Sequence, residues 1–183
     1  GGGIMIENSA STILNNVTIE NNHSVQGGGL FIDYQANVTL NNCTIRNNIV
    51  SSSGGGISSY VSNIEINNSI ITNNYSDQAN AGISMDQNSV MNMSFCTVAR
   101  NGGNPNNTSN AAGIHLNDSN ASINNSIVFS NDNALPSISQ NQSVLSIEYS
   151  NIEGGWEGIG NINSDPLFND IENQDYTLQA TSP

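Results

Sequence analysis

Lysine is absent from this chain, and arginine occurs only twice, at Arg46 and Arg100, against fifteen Asp and Glu. The formal charge of −13 would repel the phosphates of nucleic acid and anionic membrane surfaces, so neither is expected as a partner. Long apolar runs are missing too. Nowhere do apolar residues run on for the roughly 18 positions a spanning helix requires, so membrane insertion is not expected, and no basic-then-apolar start resembles a secretory signal. Aromatic residues make up 5% of the chain and hydrophobic residues 36%, so any core built by these 183 residues must be narrow. Cysteine is confined to Cys43 and Cys96.

What fills the space is Asn, about 35 residues, with 17 Gly, a bias that ordinary helical or sandwich domains do not show. These residues are periodic. The stretch "TIENNHSVQGGGL" (18–30) is followed by "TIRNNIVSSSGGGI" (44–57) and by a blurred third copy, "IITNNYSDQANAGI" (70–83). Aligned on the apolar residue before an Asn-rich turn, the copies place Leu14, Leu40, Ile66, Met93, Ile123 and Ile147 in one column, at intervals of roughly 24 to 30 residues. Within a copy the apolar residues alternate, as at Leu30 and Ile32, Val38 and Leu40, Cys43 and Ile45. Period two means strands with one buried face. Three short strands per repeat, joined by turns rich in Asn, Gly and Ser, predict an all-β fold: a right-handed parallel β-helix of about six rungs. The repeats cover residues 1–155, and residues 156–183 form a C-terminal, cap-like extension. Because the chain opens inside a repeat at "GGGI" and stops at "ATSP", a fragment of a longer protein is expected.

The Asn pairs then acquire a cause. Sharp corners favour left-handed backbone, which Asn tolerates better than most residues. Inward amides repeated on successive rungs can hydrogen-bond up a column at a spacing of about 4.8 Å. Two such columns are expected: Asn22, Asn48, Asn74, Asn101 and Asn131, and a second of Asn16, Asn42, Asn68 and Asn125, interrupted by Phe95 and closed by Tyr149. Sequons such as those at Asn16 and Asn37 arise by chance in a composition like this one and are not read as glycosylation sites.

The "GGGI … TIxNN" repeats resemble the right-handed β-helix regions of bacterial secreted and surface proteins. More loosely they resemble the repeats of polymorphic outer membrane proteins and pectate-lyase-like β-helices. The tail "NINSDPLFNDIENQDYTLQATSP" (161–183) resembles the last turn of large Bacteroidetes-type β-helix proteins, where it continues into an anchoring region. The resemblance implies an extracellular or cell-surface address. It does not imply an activity, because this scaffold hosts lyases, hydrolases, epimerases, adhesins and stalks.

Any function must sit on outward positions. On the first strand of each rung the outward column reads Met5, Phe31, Ser58, Ser84, His115 and Ser139, and two positions later come Glu7, Asp33, Tyr60, Asp86 and Asn117. This face mixes carboxylate, aromatic and imidazole, and Phe31, Tyr60, Asp86 and His115 are its candidate glycan contacts. Phe31, Tyr34 and Tyr60 could stack on sugar rings or simply cover the coil. Glu7 and Asp33, on adjacent rungs, match the closer carboxylate spacing of a glycosidase. Asp86 near His115 is the nearest approach to the base of a lyase or epimerase. Against both stands the lack of any cation on the face, and no motif of pectin-degrading enzymes is present. Calcium is a possible ligand at Glu7 and Asp33, which carry the hard oxygen atoms it takes, although the G-G-x-G-x-D-x-U-x calcium repeat is missing. No other cofactor is expected, since His23 and His115 lie rungs apart with no Cys or His beside them.

The reading that emerges is a noncatalytic extracellular module, a rigid stalk or adhesin segment of a bacterial surface protein that contacts polysaccharide or cell-surface glycan. The alternative is a fragment of a carbohydrate-active enzyme. Ile4, Ile6, Leu14, Val17 and Ile19 line the first rung, so self-association through that end is expected. Arg46 follows Glu20 in one outward column, which predicts an ion pair between rungs. An ice-binding face is not expected, because Thr18, Thr44, Ile70, Thr97 and Ile127 lack a second column of Thr beside them. Cys43 and Cys96 share the inward column Val17, Cys43, Ser69, Cys96, Ser126, Ser150. They stand two rungs, about 9.5 Å, apart, beyond the reach of a disulfide, so two buried free thiols are expected.

Overall fold

A computed structural model describes residues 1–78, 80–104, 111–131 and 136–183. The second rung shows the plan: strands Leu30–Ile32, Asn37–Asn41, Thr44–Arg46 and Ile49–Val50 follow one another around the coil. Equivalent strands stack in parallel into three six-stranded sheets and a fourth, four-stranded sheet. The three expected strands per rung are present, and among the described residues a fourth, shorter strand joins them in the first four rungs. The fourth consists of two-residue strands such as His23–Ser24 and Ile49–Val50, too short to leave a visible period-two signature. The apolar column is in the expected register, since Leu14 pairs with Leu40, Leu40 with Ile66, Ile66 with Met93, Met93 with Ile123 and Ile123 with Ile147. Leu40, Ile66, Met93 and Ile123 are fully buried, which makes the narrow core a stack of aliphatic layers.

The two residues of each Asn pair at the third corner do different work. Asn21, Asn47 and Asn73 take the left-handed backbone, at φ of 59°, 55° and 54°, and turn the chain. Asn22, Asn48, Asn74, Asn101 and Asn131 point inward and form a ladder. Each of Asn22, Asn48, Asn74 and Asn101 donates its backbone N–H and its amide nitrogen to the Oδ1 of the next rung's Asn, all at 2.9 to 3.1 Å. The amide nitrogens of Asn48, Asn74, Asn101 and Asn131 reach back to the carbonyls of Ile19, Ile45, Ile71 and Val98. The inward amides thereby satisfy one another and the neighbouring carbonyls inside the coil.

The glycine run follows from that ladder. A Cβ on Gly29 would stand 3.0 Å from the Asn48 amide nitrogen and 2.7 Å from Ile45, and one on Gly56 would stand 3.0 Å from the Asn74 amide nitrogen. The same collision recurs at Gly82 with Asn101 and Gly113 with Asn131. The repeat of an Asn pair before a Gly run is thus one steric arrangement in which the amide occupies the space a side chain would need.

The second expected column is corrected. Asn16, Asn42, Asn68, Phe95, Asn125 and Tyr149 all take left-handed backbone, but their side chains lie outside the coil, with Phe95 62% and Tyr149 57% exposed. The position after that corner carries the interior hydrogen bonds instead. The backbone N–H of Cys43 donates to Ser69 Oγ, Cys96 to Ser126 Oγ and Ser126 to Ser150 Oγ, at 3.0 to 3.1 Å. Both cysteines are buried and free, in the predicted column. A further serine column, Ser62, Ser89, Ser119 and Ser143, lines the corner after the first sheet, each hydroxyl donating to a carbonyl two or three residues upstream.

The C-terminal segment does two things. Trp156 packs against the end of the core, and the 161–162 stretch lies on the last rung, with Asn161 Oδ1 accepting from the N–H of Ser150 at 3.0 Å. The chain then forms an antiparallel hairpin, Phe168–Asp170 and Asp175–Leu178, joined by a short 3-10 turn. This hairpin docks on the outer face of the third sheet. Asn73 donates to the Tyr176 hydroxyl at 2.7 Å, Arg46 to Gln174 at 3.1 Å, and Arg100 makes a two-pronged pair with Glu172 at 2.7 and 3.0 Å. Thr72 and Ala99 are outward residues of the third sheet, yet both are fully buried. Arg46 also holds Glu20 at 2.7 Å, the ion pair expected between rungs.

Candidate functional site

The first sheet carries the chemically mixed face. Its register brings the expected columns together: Phe31 pairs with Met5 and Ser58, Ser58 with Ser84, Ser84 with His115 and His115 with Ser139. At the edge, Tyr60 pairs with Asp86 and Asp86 with Asn117. The column is not open along its length. Ser58 and Ser84 are fully buried and His115 is 8% exposed. The turns before Leu30–Ile32 and Ile57–Tyr60 fold over the outward side chain, close enough that a Cβ on Gly27 would stand 2.7 Å from Phe31 and one on Gly54 2.6 Å from Ser58. Gly27 and Gly54 have φ of 56° and 68°, and this close approach of backbone to side chain is what glycine permits there.

His115, expected among the glycan contacts, is largely buried. Its Nδ1 lies 2.8 Å from Ser139 Oγ, and burial pushes its pKa down, opposed only in part by the Asp86 charge. The imidazole is neutral at neutral pH. Asp86 accepts from Ser84 Oγ at 3.0 Å and from Asn117 at 3.3 Å, both neutral donors.

The open part of the face lies at rungs two and three. The Phe31 and Tyr60 rings sit with centroids 6.0 Å apart, tilted at 45°. Gln26 donates to the Tyr60 hydroxyl at 3.0 Å. Burial, then the charges of Asp86 and Asp33, raise the Tyr60 pKa, so the phenol stays protonated and its O–H remains a donor. Beside them, at the corner, Tyr34 is 68% and Val61 40% exposed, and with Gln35 they line a hollow of about 270 Å³. The hollow arises from unequal corners: the second rung turns through two left-handed residues, Tyr34 and Gln35, and the third through Val61 alone. Left-handed backbone at a β-branched residue, φ 46° for Val61, is a strained choice. Sequence reasoning weighed Tyr34 but missed Val61 and Gln26, because neither corner geometry nor a hydrogen bond 34 residues long is written in an apolar pattern.

Glu7 and Asp33 stand on neighbouring rungs, as the column required. Glu7 is exposed, and Asp33 accepts the backbone N–H of Tyr34 at 2.7 Å. Among the described residues, no group of three His, Cys, Asp or Glu is arranged to hold a metal ion. No helix among them is long and apolar enough to cross a membrane.

Residues 2–175 match the family model described as right handed beta helix region. No curated protein and no solved structure matches the chain significantly.

Proposed function

Because the chain belongs to the right-handed β-helix family, we propose that it serves as a noncatalytic extracellular module, a rigid stalk or adhesin segment of a bacterial surface protein. In this reading it touches glycan through the first-sheet edge at rungs two and three. One observation carries the proposal. In a chain with 5% aromatic residues, Phe31, Tyr34 and Tyr60 gather at one edge beside a hollow, where flat rings and amide groups suit the apolar face and hydroxyls of a sugar. The continuous Asn ladder supplies the stiffness a spacer needs, and the likeness of repeats and tail to bacterial surface proteins supports the address.

Features of the two candidate reactive pairs favour binding over turnover. A glycosidase acid works shielded from bulk water, whereas Glu7 is exposed. A lyase base must reach its substrate, whereas His115 is covered and bonded to Ser139. A glycan array, run beside a product-release screen on neutral and uronic-acid polysaccharides, tests the proposal. Retained glycan with no released product is the expected result. Product release would instead make the chain part of a carbohydrate-active enzyme, and silence in both assays would leave a spacer with no ligand.

A further inference from the structure

We propose that the edge formed by Phe31, Asp33, Tyr34, Tyr60 and Asp86 selects a cationic sugar, an oligomer of hexosamine units that lack their N-acetyl groups. The inference rests on the glycan reading above and adds the charge of the ligand to it.

The charge distribution points there first. The chain has two cations on side chains other than His, and both are committed to the opposite side of the coil: Arg46 to Glu20 and Gln174, Arg100 to Glu172. On the first-sheet edge, Asp33, Tyr60 and Asp86 occupy successive rungs, so a phenol stands between two carboxylates. Asp86 is held by the neutral donors Ser84 and Asn117, and the described contact of Asp33 is with the neutral N–H of Tyr34. Among the described residues, no cation pairs with either carboxylate. A uronate polymer would meet repulsion here, and a neutral sugar would leave both charges unanswered. An ammonium group would be attracted by both, and by the ring faces of Phe31, Tyr34 and Tyr60, whose quadrupoles favour a cation above them.

The second observation concerns unused polar atoms. Ser58 Oγ is fully buried beneath the Gly54 turn and, among the described residues, has no hydrogen-bond partner; it lies next to Phe31 in the outward column and on the same face of its strand as Tyr60. Asn80 Oδ1 is likewise buried and, among the described residues, unpartnered, while the Asn80 amide nitrogen donates to Ser84, which donates to Asp86. A polar path ending in an orphaned acceptor thus leads to the Asp86 carboxylate. Tyr34, Gln35 and Val61, each in left-handed backbone, line the hollow at the corner after the ring pair. A lysine side chain would offer one ammonium group on an apolar stem. A sugar ring also supplies hydroxyls for the Gln35 amide and the Tyr60 O–H, which is why the sugar is favoured over a basic peptide.

Calorimetric titration of the whole chain with glucosamine oligomers, N-acetylglucosamine oligomers, oligogalacturonate and polylysine tests this, with thermal melts as folding controls. The glucosamine oligomer is expected to bind most tightly and to weaken as salt is raised. Asp33→Asn and Asp86→Asn, isosteric changes at the edge, should each weaken it by about threefold to tenfold without lowering the melting temperature. Equal binding of the acetylated oligomer, or binding unchanged in both variants, overturns the cationic selection and leaves the glycan reading standing. Tighter binding of polylysine overturns it in favour of a basic peptide. No binding to any sugar removes both readings together.

Discussion

Asn74 makes four side-chain hydrogen bonds inside the coil, to Ile45, to Asn101 and twice with Asn48. Asn41, with the same side chain, makes an outer ladder with Asn15 and Asn67 at the solvent face. Asn74→Ala should cost about 3 to 5 kcal/mol, because it strands buried donors and an acceptor, and Asn41→Ala less than about 1 kcal/mol. Denaturant unfolding of the two variants checks the contrast. The letter Asn alone could not separate these roles: the sequence revealed both columns, and only the corner geometry shows which faces inward. For the same reason Phe95, at φ 56° in a column otherwise rich in Asn, is an exposed misfit, and Phe95→Asn should stabilise the chain by about 0.5 to 1 kcal/mol. Cys96 offers a pH test. Burial raises its thiol to about 11 from 9.0, so between those values the unfolded chain releases its proton first and stability falls as pH rises. The loss should approach about 2 to 3 kcal/mol by the upper end of the window and be absent from Cys96→Ser, whose hydroxyl repeats its neighbours Ser69 and Ser126. Melting curves of both proteins across that range decide it.

At the scale of the element, the C-terminal hairpin is the piece least visible in sequence. The Arg46 and Glu20 pair could be read because the two residues stand one rung apart in a column. The Arg100 and Glu172 pair spans 72 residues and two unrelated elements, with no period to link them. Tyr176 anchors the hairpin, buried, edge-on to Phe168 at 5.4 Å and bonded to Asn73. Tyr176→Ala should release the hairpin and raise hydrogen exchange at the neighbouring backbone of Thr72 and Ala99, while Arg100→Ala, removing a partly exposed pair, should cost no more than about 1 kcal/mol. The first sheet shows the opposite balance. Its columns were legible, yet the turns that fold over Phe31 and Ser58 were not, because glycine-rich turns carry no signal of the side they fold toward.

Over the whole molecule, the aliphatic stack and the Asn ladder run together from rung to rung, so stability is a sum of neighbouring interfaces rather than of one globular core. Calcium at Glu7 and Asp33 would add to that sum only by mass action, and chelator is expected to leave the melting curve unchanged; a lowered midpoint would place an ion on that edge. The central claim is that the inward Asn column holds the coil together along its length. Residue-resolved hydrogen exchange tests it most directly. The backbone N–H groups of Asn48, Asn74 and Asn101, each bonded to the next Asn Oδ1, should be among the slowest in the chain and exchange at similar rates. Exchange of these amides as fast as that of the exposed turn at Val25 would contradict the ladder, and with it the account of why the sequence repeats.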